Sequence, residues 1–283
     1  MRIAVLGANG QLGSDICGAS RATGCDVAEL NHERVDIGDA DAVMDAVRLV
    51  RPHLLVNTVA FHHVEKCEAD PGLSHSVNAS GARHAALAAR DVGAYFIQIS
   101  TDYVFDGRKK APYIESDSPA PLNVYARTKL EGERLALETW EKTAVLRTSG
   151  LYGKNPCRGK GLNFVQLMLK LAKERDEVRV VDSEVLTPTS TVELARQILR
   201  LSRTPLYGLY HASCEGFCSW HRFAQEIFAI SGVKANLQVA APDEFPMKVP
   251  RPTYSVLENA ALKSCDANTF RPWEDALREY FAS

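Results

Sequence analysis

Tyr125 and Lys129 stand four residues apart in the run Tyr125-Ala126-Arg127-Thr128-Lys129. On a helix that spacing puts both side chains on one face, about 5–6 Å apart at Cβ. Pro121 precedes the run, and Leu130 and Leu135 supply its apolar side. A tyrosine pKa is about 10, so acid–base work at neutral pH needs a shift of ~3 units, or ~4 kcal/mol. A neighbouring ammonium supplies such a shift by stabilising the phenolate. Upstream, the apolar run Tyr95 to Ser100 ends in Thr101-Asp102-Tyr103. Thr101 is placed to hold a ketone oxygen close to Tyr125. Tyr and Lys at this spacing also occur on ordinary surface helices, and Thr often ends a strand. The chemistry therefore depends on a cofactor site elsewhere in the chain.

That site is announced at the N-terminus. Arg2 to Leu6 is a short apolar run, followed at once by Gly7-Ala8-Asn9-Gly10-Gln11-Leu12-Gly13. Gly7 allows a tight turn, Gly10 lets a pyrophosphate approach the backbone, and Gly13 lets the next helix pack close to the strand. The helix N-terminus then offers free N–H groups and a partial positive charge. An acidic residue after the second strand normally binds the ribose hydroxyls of NAD and repels a 2′-phosphate. Here Asn31 stands in that place, with Arg34 three residues on. The pair favours NADPH over NADH, because a neutral side chain removes the repulsion and a guanidinium pairs with phosphate. Asp36 and Ile37 lie where such folds hold the adenine ring.

The elements that must position these groups alternate. Cys25 to Leu30, Leu54 to Asn57, Tyr95 to Ser100 and Val145 to Ser149 read as strands after the first. Gln11 to about Thr23, Asp39 to Val50 and Asn78 to Val92 read as helices between them. Strands alternating with helices predict a doubly wound, Rossmann-like α/β fold with a parallel sheet. Past Tyr152 the pattern loosens, with helices at Phe164 to Lys173, Val192 to Ser202 and Trp220 to Ser231. Short strands are expected near Val178 to Val181 and Leu209 to His211, and prolines cluster at Pro242, Pro246, Pro250 and Pro252. The expected division is a dinucleotide-binding domain over 1–150 and a smaller substrate-binding lobe over 151–283, interleaved with the main sheet.

Composition removes other classes. With 283 residues the chain can bury roughly 75% of its unfolded surface and needs no disulfide or metal staple. A formal charge of −2 gives no footprint for nucleic acid or an anionic membrane. The basic run Arg108-Lys109-Lys110 reads as a solvated loop. No stretch approaches the ~20 apolar residues of a spanning helix, and Ile3 to Leu6 is too short for a signal-peptide core. Seven scattered cysteines, Cys157 among them, read as reduced thiols and point to the cytoplasm. His62-His63 lacks a third metal ligand, so no metal site is expected. A monomer or homodimer is expected.

Gly7 to Gly13, Ser100-Thr101-Asp102-Tyr103-Val104-Phe105-Asp106-Gly107 and Leu122-Asn123-Val124-Tyr125 with Lys129-Leu130-Glu131-Gly132-Glu133 resemble the extended short-chain dehydrogenase/reductases. Within them the likeness is to the dTDP-4-dehydrorhamnose reductase family. It continues through Leu146-Arg147-Thr148-Ser149, Tyr152-Gly153, Asn163-Phe164, Pro188-Thr189, Gly208-Leu209-Tyr210-His211 and Pro250-Arg251-Pro252, nearly the whole chain. The resemblance implies reduction of the 4-keto group of a nucleotide-linked 6-deoxy sugar, dTDP-4-dehydro-6-deoxy-L-mannose, to dTDP-L-rhamnose. It maps the proton donor to Tyr125, its activator to Lys129, and substrate contacts to Thr101, Asp102, Gly150, Asn163 and Arg251. It places the cofactor against Gly7, Asn9, Gly10, Gln11, Leu12, Gly13, Val59, Ala60, Phe61 and Ile99, besides Tyr125 and Lys129.

Three departures mark the sugar side. Gly150 stands where the family usually has Trp, and Glu184 and Leu186 replace Gln and Gly ahead of Pro188-Thr189. The usual Ala-rich segment reads Thr58-Val59-Ala60-Phe61-His62-His63. Two other readings stay open. One is a non-catalytic NADP-binding subunit resembling the regulatory subunit of methionine adenosyltransferase. The other is a nucleotide-sugar epimerase or dehydratase. The dehydratases carry Glu after Thr-Asp, where this chain has Tyr103.

Overall fold

The computed structural model describes residues 1–156, 161–241, 244–245 and 248–282. Cys157, Pro242 and Pro246 lie outside them. Strands β1 (Arg2–Leu6), β2 (Asp26–Leu30), β3 (Leu54–Asn57), β4 (Tyr95–Thr101) and β5 (Thr143–Thr148) are the first five in chain order. Beyond them come β6 (Leu151–Tyr152), β7 (Val178–Val180), β8 (Val185–Leu186), β9 (Thr189–Ser190) and β10 (Gly208–His211). Six strands form one parallel sheet in the order β10-β5-β4-β3-β1-β2. This is the doubly wound arrangement read from the alternation. Every residue of β3, β4 and β5 is buried, as strands covered on both faces must be.

The covering helices are α1 (Gln11–Ala22), α2 (Ala40–Val50), the short α3 (Val64–Ala69) and α4 (Pro71–His75), α5 (Gly81–Val92) and α6 (Val124–Thr139). Three more follow, α7 (Phe164–Glu174), α8 (Thr191–Arg203) and α9 (Trp220–Ser231). On one face α2, α5 and α6 pack side by side, and on the other α1 packs on α8. The second half of the chain thus returns to the main sheet, through β10 beside β5 and α8 beside α1. Two-stranded pairs, β6 with β9 and β8 with Cys218–Ser219, stand near the carboxyl ends of the main strands.

One element differs from the sequence reading. The helix expected from Asn78 begins as a π-helical turn at Ser76–Ser80, and regular α5 starts only at Gly81. The reason is a partner in another loop. Asn78 Oδ1 accepts the Phe61 N–H at 2.9 Å and its amide donates to the Phe61 carbonyl at 3.0 Å. Single π-helical turns of this kind are rare and frequently lie at functional sites.

His211, at the end of β10, is fully buried, with Nδ1 3.1 Å from both the Tyr113 and Glu258 carbonyls. Burial, aided by the Arg147 guanidinium, holds its imidazole neutral with a pKa of about 3. The unfolded chain takes up that proton near pH 6.5 and the folded chain does not, so this contribution is complete above that pH and erodes as pH falls toward 3. Urea titrations at pH 7 and pH 5 should show a loss of about 2 kcal/mol from this group. In His211→Asn that part of the slope should be absent.

Candidate active site

The site lies where an open α/β sheet puts it, at the carboxyl ends of the strands and at the point where strand order reverses, between β1 and β3. A cavity of about 920 Å³ runs along these ends. Its floor is the loop after β1. Gly7 has φ +78°, and a Cβ there would stand 2.8 Å from Thr58 Oγ1. A Cβ at Gly13 would collide with the Gly7 carbonyl, so the residue keeps α1 against the loop. Gly10 is the N-cap of α1, with no side-chain cap and no acidic residue in the first turn. The positive end of α1 is therefore bare where Gly7, Asn9, Gly10, Gln11, Leu12 and Gly13 line the cavity. These features suit a dinucleotide diphosphate, which needs backbone N–H donors and no Cβ in the way.

The second wall follows β3. Asn57 bonds Gln98 at 2.8 Å and accepts the Val59 N–H at 3.0 Å, turning Val59, Ala60 and Phe61 into the cavity. At the end nearest β2 the cavity is lined by His32, Val35 and Ile37. Asn31 and Arg34 face a separate surface groove of about 800 Å³ along β2 and α2. Asp36 is exposed and accepts the Gly38 N–H at 2.9 Å. Of the four residues assigned to the adenosine half, only Ile37 meets the main cavity.

The third wall holds the reactive groups. Thr101 ends β4 and caps the short turn after it, accepting the Tyr103 N–H at 3.2 Å. Its hydroxyl donates to Asp102 Oδ1 at 3.0 Å, beside the Tyr125 phenol. Asn123 caps α6 by accepting the Ala126 N–H at 2.9 Å, which fixes the first turn and with it Tyr125. Lys129 follows one turn on, buried, with Nζ donating to the Ile99 carbonyl at 2.6 Å. Ile99, Thr101, Tyr125 and Lys129 all line the cavity.

The electrostatics differ from the sequence expectation of an acidified tyrosine. Burial pushes the Tyr125 phenol up, with the Thr101 hydrogen bond opposing it and Asp102, Tyr103 and Cys67 adding to it. Burial pulls the Lys129 ammonium down to about 8 while Glu133 opposes that fall. The ammonium is engaged by a carbonyl at the strand end, so the phenol keeps its proton.

Asp102 is buried and accepts hydrogen bonds from Thr101, Ser149 at 2.8 Å, and Ser255; burial raises its carboxyl above the usual range. Gly150, Asn163 and Arg251 also line the cavity. Gly150 has φ +52°, and a Cβ there would stand 2.7 Å from Leu186 Cδ1, so Leu186 occupies the space beside it. Asn163 caps α7 and donates to Gln11 Oε1 at 2.8 Å, linking the second half of the chain to the glycine loop. Arg251 is paired with Glu65, whose other oxygen lies 3.2 Å from His63. Sequence reasoning missed His32, Lys66, Trp220 and Ser255 as cavity residues. His32 sits between Asn31 and Arg34, while Lys66, Trp220 and Ser255 fall outside the quoted motifs and no local pattern marks them.

The match to the RmlD substrate binding domain model extends over residues 1–283. A dTDP-4-dehydrorhamnose reductase of Streptomyces griseus is 37% identical over 98% of this chain and 92% of its own. The crystal structure of such a reductase from Clostridium acetobutylicum superposes with a TM-score of 0.94 at 40% identity, covering 100% of this chain and 99% of that one. Another, from Bacillus anthracis in complex with NADP, gives 0.94 at 36% identity, covering 99% and 98%. With the glycine loop, the Thr-Tyr-Lys wall and these likenesses over the full length, the chain belongs to the RmlD family of dTDP-4-dehydrorhamnose reductases.

Proposed function

We propose that this protein uses NADPH to reduce the C4 ketone of dTDP-4-dehydro-6-deoxy-L-mannose, giving dTDP-L-rhamnose in the cytoplasm. The observation that carries this reading is the convergence of Thr101, Tyr125 and Lys129 on the wall of the cavity whose floor is the glycine loop. NADPH, when bound, supplies the hydride. In the reading we favour, residues 1–150 hold it, with the diphosphate on Gly10 to Gly13 and the nicotinamide side near Ile99, Tyr125 and Lys129. Residues 151–283 contribute most of the sugar-nucleotide side, including Asn163 and Arg251, while Asp102 and Gly150 border the sugar.

The residues of the chain then have separate tasks. Thr101 holds the ketone oxygen by its hydroxyl. As a C–H bond forms at C4, the phenolic O–H bond of Tyr125 breaks and the proton goes to that oxygen, so no free alkoxide develops. A donor must start out protonated, and the burial that raises Tyr125 ensures this at neutral pH. The phenolate left behind is stabilised by the charge on Lys129, which Glu133 helps to keep. A dehydratase is not favoured, because Tyr103 stands at the position after Thr101-Asp102 and elimination lacks its second carboxylate there. An epimerase is not favoured, because relatives at 33–37% identity are reductases. A non-catalytic subunit is not favoured, because the donor and its two supporting residues are all retained.

Tyr125→Phe keeps the ring and removes the proton, and should lower turnover of a dTDP-4-keto sugar by ~100-fold or more, the scale of positioned acid catalysis. NADPH affinity, measured by fluorescence titration, should stay within twofold. Turnover at the parent rate would refute the assignment.

A second expectation follows from Lys129. Its ammonium loses its proton as pH rises through about 8, so kcat should fall above that pH. A profile flat from pH 7 to 10 would show that the charge is not needed.

Arg34 tests cofactor choice. It is exposed two residues beyond His32, in the neighbouring groove along β2 and α2. If it pairs with the 2′-phosphate, Arg34→Ala should weaken NADPH by about 1.5–3 kcal/mol and leave NADH unchanged. Equal effects on the two cofactors would make it a bystander.

A further inference from the structure

Tyr125 sits in the first turn of α6, where a helix has the fewest bonds of its own. The first four N–H groups of an α-helix have no partner within it. In α6 the Asn123 side chain takes the Ala126 N–H at 2.9 Å, and its amide donates to the Pro250 carbonyl, also at 2.9 Å. The Val124 N–H, directly before Tyr125, goes elsewhere. It donates to Glu68 Oε1 at 2.7 Å, across 56 residues of chain. Glu68 belongs to the short helix α3, which is itself tied to the cavity wall. The neighbouring Cys67 is buried and donates its thiol to the Phe61 carbonyl at 3.1 Å. His63, Val64 and Lys66 line the cavity together with Phe61. Thus α3 reaches from the loop after β3 to the start of the reactive helix.

We propose that Glu68 is a positioning residue for the reduction: its carboxylate pins the first turn of α6 to α3 and so sets where Tyr125 stands relative to a nicotinamide held beside the β3 loop. This role rests on the reductase reading above and adds a residue that does not itself line the cavity. The bond joins a carboxylate to the positive end of a 16-residue helix, where an anionic acceptor is favoured. An N–H bond to a carboxylate is charge-assisted and stronger than a neutral one. Its donor is the backbone of the residue before Tyr125, so its effect passes along the main chain and no flexible side chain absorbs it. The groups whose charge bears on the phenol are Asp102, Tyr103 and Cys67, so Glu68 works through geometry and not by setting the acidity of Tyr125. The other anchors of α6 lie further along. Thr128 meets Ser74 at 3.0 Å, and Glu133 meets Ser100 and Arg147 on the sheet. They fix the body of the helix and leave its start to Asn123 and Glu68.

The test compares Glu68→Ala with Glu68→Gln, which keeps an oxygen to accept the Val124 N–H. Glu68→Ala should lower kcat for a dTDP-4-keto sugar about tenfold, part of the ~100-fold that a misplacement of about 1 Å can cost. KM for the sugar nucleotide and NADPH affinity should stay within twofold, which also reports an intact fold. Glu68→Gln should recover most of kcat. With NADPH carrying deuterium at both C4 positions, the isotope effect on kcat in Glu68→Ala should equal or exceed that of the parent, because the hydride step is the one slowed. A lower melting temperature with kcat unchanged would be a structural role alone and overturns the proposal. So does a loss confined to KM, a reduced isotope effect, or a loss of kcat that Glu68→Gln shares in full. Hydrogen exchange read by mass spectrometry needs no turnover. The segment that opens α6 should exchange faster in NADPH-bound Glu68→Ala than in the parent or in Glu68→Gln, and equal exchange in all three overturns the proposal. A parent protein that oxidises no NADPH with a 4-keto sugar would refute the reductase reading instead, and the exchange rates would still decide whether Glu68 holds the start of α6.

Discussion

A single buried carboxylate sets the position of the reactive helix. Glu133 lies on α6 one turn beyond Lys129 and two beyond Tyr125, on the same face. Its oxygens accept the Ser100 hydroxyl at 2.5 Å, Arg147 Nε at 3.0 Å and Arg147 Nη2 at 2.7 Å. Ser100 and Arg147 are register partners on β4 and β5, so one side chain ties the helix to two adjacent strands immediately below the site. Both members of the ion pair are almost wholly buried. Removing one partner of such a pair typically costs about 3–5 kcal/mol, because the other is left as an uncompensated charge. The guanidinium also lies 5.2 Å over the Phe105 ring, which fills space that water would otherwise enter. This clamp explains how a helix can present Tyr125 and Lys129 to a strand end within hydrogen-bond reach.

Close backbone approach does the rest. A Cβ at Gly132 would collide with the Asn78 carbonyl, so α6 sits against the π-helical turn as closely as a glycine allows. Asn78 and Ser74 then reach Thr128 at 3.1 and 3.0 Å, and Thr128 bonds the Tyr125 carbonyl. The same Asn78 holds Phe61. The loop after β3 and the first turns of α6 are therefore parts of one polar network, and a shift in either would move the tyrosine relative to the cofactor side.

The sheet was legible in the chain because its signal is local. Leu54 to Asn57 is read as a strand and is one, since a strand buried on both faces needs only a short apolar run between turns. Trp220 to Ser231 is read as a helix and is one, with Ser219 as its cap. The spacing of Tyr125 and Lys129 and the glycines after β1 were equally local and equally readable. What escaped depends on distant partners. Asn78 takes its hydrogen bonds from Phe61, so the helix start shifts. Asn31 and Arg34 follow the expected strand, yet the turn directs His32, Val35 and Ile37 to the main cavity instead. The acidity expected of Tyr125 failed for a physical reason as well: helical spacing brings Lys129 near, but burial and the Ile99 carbonyl decide what its ammonium does. Trp220 reaches the cavity only because the second half of the chain folds back over the strand ends.

The account stands or falls on where the hydride goes. NADPH carrying deuterium at both C4 positions of the nicotinamide should be incubated with dTDP-4-dehydro-6-deoxy-L-mannose, and the product read by mass spectrometry and NMR. The account predicts dTDP-L-rhamnose with one deuterium, at C4 of the sugar, and one equivalent of NADP+. A product without deuterium at C4, or oxidation of no NADPH at all, would contradict it.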